Sequence, residues 1–413
     1  EGSFYTIKQL WSPVQIMNTS VDKQFDGKFS VENRYDFLNL NTCRFLWKQV
    51  KFPTATDASN TTAQVLKQGE VQGSDVAAHS AGVLDIKTTI LPDADALFLT
   101  AIDRYGHELW RWTFPVNKLN QANEVLSPLS NKVTSTETEN ELTVKAKNHT
   151  FIFSKKDGQL KGVSVNNRKI SFANGPRFIG ARRADRSLDQ FYNHDDEKAK
   201  EKDRTYSEFP DAAVFTKLDV KEDGGNLIVT ANYKLGNLDK VQWTINPNGE
   251  AVLDYTYNFS GVVDLMGICF DYPEDQVISK RWLGAGPYRV WQNRIHGTQY
   301  DVWENDYNDP IPGETFTYPE FKGYFGDVSW MNIQTKEGTI SLTNETPDAY
   351  IGVYQPRDGR DRLLYTLPES GISVLNVIPP VRNKVNSTDL CGPSSQPKWV
   401  NGPQTGRVIF RFM

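Results

Sequence analysis

The chain has 413 residues and a net charge of −5, with both signs interspersed and no basic stripe among its aromatics, which removes any electrostatic reason to bind nucleic acid. No apolar run approaches the roughly 18 residues that a membrane-spanning helix requires. The length exceeds the roughly 250–300 residues of one core, so at least two domains are expected, and 12% aromatic residues with 29 Gly and 21 Pro favour strands and turns over helices.

The first residues, Glu1-Gly2-Ser3, include no initiator Met, no basic n-region and no apolar h-region. They lead directly into Phe4-Tyr5-Thr6-Ile7-Lys8-Gln9-Leu10-Trp11-Ser12-Pro13-Val14, so residues 1–18 read as an entry segment. Residues 19–116 read as a small sandwich. Strands are expected at Phe29 to Tyr35, Phe37 to Leu40, Arg44 to Val50, Gly82 to Ile90, Ala96 to Asp103 and Glu108 to Phe114. About seven short strands in fewer than a hundred residues fit an immunoglobulin-like domain, although Cys43 stands alone and the antibody Cys…Trp…Cys pattern is missing. Trp110 and Trp112, flanking Arg111, read as core-facing rings before they read as a binding face.

Residues 117–140, rich in Asn, Ser, Thr, Lys and Glu, read as a linker. From Glu141 to the C-terminus alternation resumes. Asp157-Gly158 predicts a type I′ hairpin and Asn166-Asn167 a further turn. The mixed-charge insert Asn193 to Arg204 reads as a solvated loop. Strands are expected at Lys217 to Val220, Asn226 to Tyr233, Val241 to Ile245, Ala251 to Phe259 and Gly406 to Phe412. Cys43, Cys269 and Cys391 lie far apart, with no CxxC spacing and only five His in the chain. They read as structural thiols, and no metal or cofactor is expected.

The most informative stretch is Arg281-Trp282-Leu283-Gly284-Ala285-Gly286-Pro287-Tyr288-Arg289-Val290-Trp291-Gln292-Asn293-Arg294. Gly284, Gly286 and Pro287 predict a tight bend with glycines in conformations that a Cβ disfavours. Trp291, Asn293, Arg294, Tyr300, Trp303, Glu304, Tyr307 and Asn308 follow. Flat rings beside amide, carboxylate and guanidinium groups suit a ligand with C–H faces and hydroxyls, such as a sugar, and equally suit a wet interface.

This stretch resembles the W-x-G-x-G-P-x-x-x-Y/W-x-x-R segment in the C-terminal domain of glycoside hydrolase family 2 enzymes of the β-galactosidase type. Residues 4–14 resemble the family's Y-x-x-K-x-x-x-x-P exit from its catalytic barrel, and an Ig-like domain follows there as here. Gly175-Pro176-Arg177-Phe178-Ile179-Gly180-Ala181-Arg182-Arg183-Ala184-Asp185 is similar to another family segment, although Arg186-Ser187-Leu188 replaces the usual Asn-Asp continuation. The resemblance implies an all-β chain: an Ig-like sandwich, then a galactose-mutarotase-like antiparallel supersandwich over 141–413. It also implies a chain cut from a longer one, whose barrel carries both catalytic glutamates. Asn123-Glu124 and Asn140-Glu141 copy the family's Asn-Glu pair but sit outside any βα repeat, so no catalytic residue is expected in this chain. His149, His194 and His296 occupy no mutarotase motif, which argues against that activity.

Near the C-terminus the family carries a Gly-rich loop ending in Ser-Trp that lends a tryptophan to the sugar pocket. The matching region, Asn386 to Trp399, lacks the double glycine and acidic pair, and Trp399 follows Pro-Lys. Trp399 is the candidate to roof a sugar subsite; the plain alternative is a ring packed under its own loop. The expected substrate-binding set is Trp291, Asn293, Arg294, Glu304 and Trp399, and the expected partners are a β-linked carbohydrate and the barrel, with homo-oligomer contacts open. A stand-alone carbohydrate-binding module and a plain scaffold remain as alternatives.

Overall fold

The computed structural model of the protein describes residues 2–57, 62–116, 132–183, 206–306, 323–353, 368, 370–380 and 392–413. The expectations for 117–131, for the insert 193–204, for Ala184 to Leu188, and for Tyr307, Asn308 and Cys391 lie outside the described residues. The chain forms two compact units. One comprises Glu1–Asn123, Trp282–Tyr288 and Ile295–Trp303; the other comprises Glu124–Arg281, Arg289–Arg294 and Glu304–Met413.

The first unit opens with helix α1 (Gly2–Leu10). Strands β1 (Val14–Ile16), β2 (Lys28–Asn33), β3 (Arg44–Lys51), β4 (Gln64–Gln72), β5 (Ser80–Asp85), β6 (Ala96–Ile102) and β7 (Glu108–Pro115) follow. They form two antiparallel sheets, ordered β1-β2-β5 and β4-β3-β6-β7. Val14, Phe29, Val31, Phe45, Leu84, Leu97, Leu99 and Phe114 fill the space between them. Leu99 lies opposite Trp112 and Ala101 opposite Trp110, so both tryptophans share the core face. Arg111 and Phe98 occupy the other face of the same sheet, because side chains alternate along a strand.

Two expectations change here. Phe37 to Leu40 is not a strand: Phe37 is 94% exposed, and a single 3-10 turn, Leu40–Thr42, is capped by the Asn39 side chain accepting from the Asn41 N–H. Conversely, β4 had no legible signal. Its sequence QVLKQGEVQ is mostly polar, as an edge strand tolerates, with Leu66 and Val71 partly buried against the core, and Gly69 leaves space for the Trp47 indole.

The second unit contains β8 (Thr134–Glu137), β9 (Glu141–Ala146), β10 (His149–Ser154), β11 (Leu160–Val165), β12 (Arg168–Ile170), β13 (Ala173–Arg183) and β14 (Tyr206–Glu208). Next come β15 (Val214–Asp223), β16 (Asn226–Lys234), β17 (Leu238–Ile245), β18 (Ala251–Val263), β19 (Leu265–Asp271), β20 (Val277–Gly286) and β21 (Gln299–Asp306), of which Trp282–Gly286 and Gln299–Trp303 count with the first unit. The last are β22 (Trp330–Thr335), β23 (Gly338–Asn344), β24 (Tyr350–Val353), β25 (Ile372–Val377) and β26 (Lys398–Phe412). One sheet runs β24-β25-β19-β13-β11-β10-β9-β8, and the other β15-β16-β17-β18-β26-β23-β22-β20-β21. The fold is all-β, as the sequence led us to expect.

Inner faces of the two sheets meet through aromatic rings. Phe172 stacks on Phe270 with centroids 4.5 Å apart, Phe410 lies 5.2 Å from Phe172, and Phe178 lies 5.4 Å from Tyr257. The first sheet is apolar on its other face as well. There Ile179, Ala181, Leu265, Cys269 and Leu375 form a second core with Val290, Trp291 and Tyr324.

The turns differ in part from expectation. Asn166 and Asn167 both have positive φ, +51° and +64°, and join Val165 to its partner Arg168, so the type I′ turn sits there. At Asp157-Gly158 only Gly158 is left-handed. Ser154 Oγ accepts from the Lys156 and Asp157 N–H groups, and Asp157 accepts from Gln159, which makes a longer loop.

Candidate functional site

Strand β20 carries the Trp-x-Gly-x-Gly motif straight through Gly286, so Gly284 and Gly286 lie in extended backbone rather than in a glycine-only bend. The expectation of strained glycines is corrected: Gly286 is there because a Cβ would overlap the Trp303 indole. The Trp303 Nε1–H donates to the Gly284 carbonyl at 3.2 Å and to that of Gln299 at 3.0 Å. Thus the first half of the motif is a close-packed glycine–tryptophan contact in the first unit. Tyr288 lies nearby, its ring 5.0 Å from Tyr5 on α1.

Residues 289–294 form a turn in the second unit. Val290 exchanges two backbone hydrogen bonds with Tyr324, at 2.7 and 2.9 Å, and Trp291 exchanges two with Arg294, at 3.2 and 2.9 Å. Arg289 is buried with its guanidinium 5.2 Å from the Phe325 ring. Trp291 is fully buried, edge-on to Tyr324 at 5.7 Å, and covers the apolar outer face of the first sheet. Its ring therefore belongs to a core and offers no open stacking face.

Gln292 had no role in the sequence reading, yet it makes three hydrogen bonds that fasten the turn. Its N–H donates to the Pro379 carbonyl at 3.1 Å, and its Nε2 donates to the carbonyls of Ser394 and Gln396 at 3.0 and 2.7 Å. Asn293 Nδ2 donates to Ser395 Oγ at 3.0 Å. The turn therefore grips the 3-10 turn Pro393–Ser395, which runs through Gln396 and Pro397 into β26. Burial of the Gln292 side chain makes these bonds expensive to lose, since its own N–H donors would be left without water. Only its position between two candidate residues could have drawn attention to it.

Trp399, the second residue of β26, is 70% exposed and pairs with Val262 on β18. It is not packed under its own loop. Arg294 is half-buried, and Glu304 is exposed on β21. Of the five expected residues, the fold brings Trp291, Asn293 and Arg294 into one turn and ties that turn to the segment leading to Trp399. His149, one of the histidines considered for a mutarotase role, is buried with Nε2 at 2.8 Å from the Phe412 carbonyl. Cys43 and Cys269 are buried free thiols, and burial raises the pKa of both.

The profile of the β-galactosidase small chain family matches residues 145–378, more than half of the chain. No curated protein sequence matches significantly. Among solved structures, the galactose 1-epimerase of Lactobacillus acidophilus is similar over 69% of this chain and 99% of its own, at 9% identity and a TM-score of 0.37. YeaD of Salmonella typhimurium is similar over 71% and 97%, at 9% identity and a TM-score of 0.29. A copper-containing benzylamine oxidase of Hansenula polymorpha is similar over 90% and 73%, at 8% identity and a TM-score of 0.24. Structural similarity at that level carries no information on ligand or activity.

Proposed function

The chain belongs to the β-galactosidase small chain family, and on that footing we propose that it is the non-catalytic β-sandwich portion of a family 2 glycosidase, helping to bind β-linked sugars beside a catalytic barrel. Retaining hydrolysis needs two carboxyl groups about 5–5.5 Å apart, and in the enzymes this chain resembles both come from the barrel. The observation that carries the reading is the grip of Gln292 and Asn293 on residues 394–396, which anchors the strand presenting the exposed Trp399 indole. In this reading Trp399 supplies a stacking face and Asn293, Arg294 and Glu304 supply polar groups for the sugar, while Trp291 fills the core beneath the turn.

Helix α1 favours the barrel as partner. One side of it is fastened by Tyr5 to Tyr288, by the Thr6 hydroxyl donating to the His296 carbonyl at 2.8 Å, and by Gln9 accepting from the Gly297 N–H at 2.7 Å. Phe4, Ile7, Leu10 and Trp11 remain exposed, a stripe at helical spacing with Trp11 80% accessible.

Titration of the chain with lactose, followed by calorimetry, tests the reading. Trp399→Ala and Arg294→Ala should weaken binding with little change in melting temperature. A loss of stability with binding intact would assign both residues to structure. Turnover of an aryl β-galactoside by the purified chain, removed by mutating one of its own carboxylates, would overturn the non-catalytic assignment.

A further inference from the structure

Strands β18 and β26 pair without a break from Ala251↔Phe410 to Val263↔Lys398. Tyr255 and Tyr257 are buried against the inner core, so their neighbours in sequence face the opposite way. On that outer face Trp399, Asn401, Pro403, Thr405 and Arg407 of β26 are all exposed. Opposite them lie Val262, Ser260, Asn258, Thr256 and Asp254 of β18. Up to Arg407 these two strands put no charged side chain in the row, Lys240 of β17 lies beside Thr256 on the same face, and the Arg407 guanidinium is already engaged by Asp254 at 3.7 Å and Glu345 at 3.4 Å.

We infer that this outer face is a platform for an extended β-linked oligosaccharide, with one sugar ring stacked on Trp399 and the next held by Asn401; the inference rests on the sugar-binding reading of Trp399. Ser260 Oγ donates to Asn401 Oδ1 at 2.7 Å, which fixes the amide and turns its N–H donors over to a ligand hydroxyl. One residue, Val400, separates Trp399 from Asn401, and the row to Arg407 extends about 27 Å at roughly 3.4 Å per residue, long enough for several hexose rings in line. Other ligand classes fit poorly. A membrane or an apolar protein surface asks for more than one large exposed apolar side chain, and nucleic acid asks for a series of cations, where Lys240 is the one beside this row among the described residues. An aromatic face beside small amide and hydroxyl groups matches the alternating C–H faces and hydroxyls of a sugar chain.

The test is calorimetric titration of the full chain with methyl β-galactoside and with β-galacto-oligosaccharides from disaccharide to pentasaccharide, repeated on Trp399→Ala, Asn401→Ala and Ser260→Ala. Affinity should rise with ligand length. Trp399→Ala should lower it for every ligand, by about tenfold, equivalent to 1.4 kcal/mol. Asn401→Ala should lower it by about threefold or more for the oligosaccharides alone, with Ser260→Ala in the same direction and melting temperatures unchanged. If Trp399→Ala abolishes binding while Asn401→Ala and Ser260→Ala bind every length like the parent, the platform is wrong and the Trp399 reading stands. If the parent chain binds no saccharide of any length, both fall together.

Discussion

A carboxylate inside a sheet hairpin needs several donors to stay ionised, and Glu337 has three. The Ser171 N–H and hydroxyl donate to it at 2.9 and 2.7 Å, and the Tyr272 hydroxyl at 2.9 Å. Burial alone would raise its pKa, but these donors hold it below the usual 4.5. A depressed carboxylate contributes stability that is fully present above its unfolded pKa and is lost as pH falls through the folded value. Glu337→Gln should therefore melt below the parent at pH 7, and the gap should close as pH drops below about 4. An equal gap at pH 3 and pH 7 would assign the effect to packing. Gly286 is constrained by sterics instead. Gly286→Val should lower stability by more than about 1 kcal/mol in chemical denaturation, since its side chain would meet the Trp303 indole on a strand that cannot move aside. A parent-like midpoint would show that the indole has room to swing out.

At the scale of elements, alternation located about half of the strands, while turns and edges needed more than alternation. The two-residue turns follow φ chemistry: Gly224 and Gly225 take +57° and +93° between Asp223 and its partner Asn226, as Asn166 and Asn167 do between β11 and β12. Strand β26 begins at Lys398, ahead of the Gly406 expected from sequence, and runs through Pro403. Proline is tolerated there because β23 pairs only with residues 408–412, so the missing N–H at 403 leaves no ladder bond unmade on that side. Strand β15 closes one edge of its sheet with Lys217, Asp219, Lys221, Glu222 and Asp223. Charge on an exposed edge opposes pairing with another chain. Replacing Lys217 and Lys221 together by Val should increase aggregation in light scattering at unchanged melting temperature; a solution as clear as the parent's would mean the edge is protected by something other than charge.

At the scale of the molecule, the first unit is completed from far along the chain. Arg111 Nε donates to Gln299 Oε1 at 2.6 Å and its guanidinium pairs with Asp301 at 3.1 Å while lying 4.8 Å from the Phe98 ring. Tyr300 packs edge-on to Phe52 at 5.6 Å. Burial raises the pKa of Asp301, and the Arg111 charge opposes that rise. A fragment ending at residue 140 keeps Arg111, Phe52 and Phe98 but loses their cover. It should unfold at lower denaturant than the corresponding transition of the full chain. A fragment as stable as the full chain would show that residues 295–303 contribute little.

The sequence by itself determined the all-β class and the core faces of the strands it located, and marked residues 281–294 as a dense Gly-Pro-aromatic motif, because each is written in local spacing. Only the tertiary structure decided what the motif does. A tryptophan on paper is equally a stacking face or a core ring, and burial alone made Trp291 the second while leaving the Trp399 indole exposed. Gln292 became the anchor of residues 394–396, and Asn401 the neighbour of Trp399, through contacts spanning a hundred residues or one strand's alternation. Such pairings depend on which faces close over each other, and no local pattern encodes that.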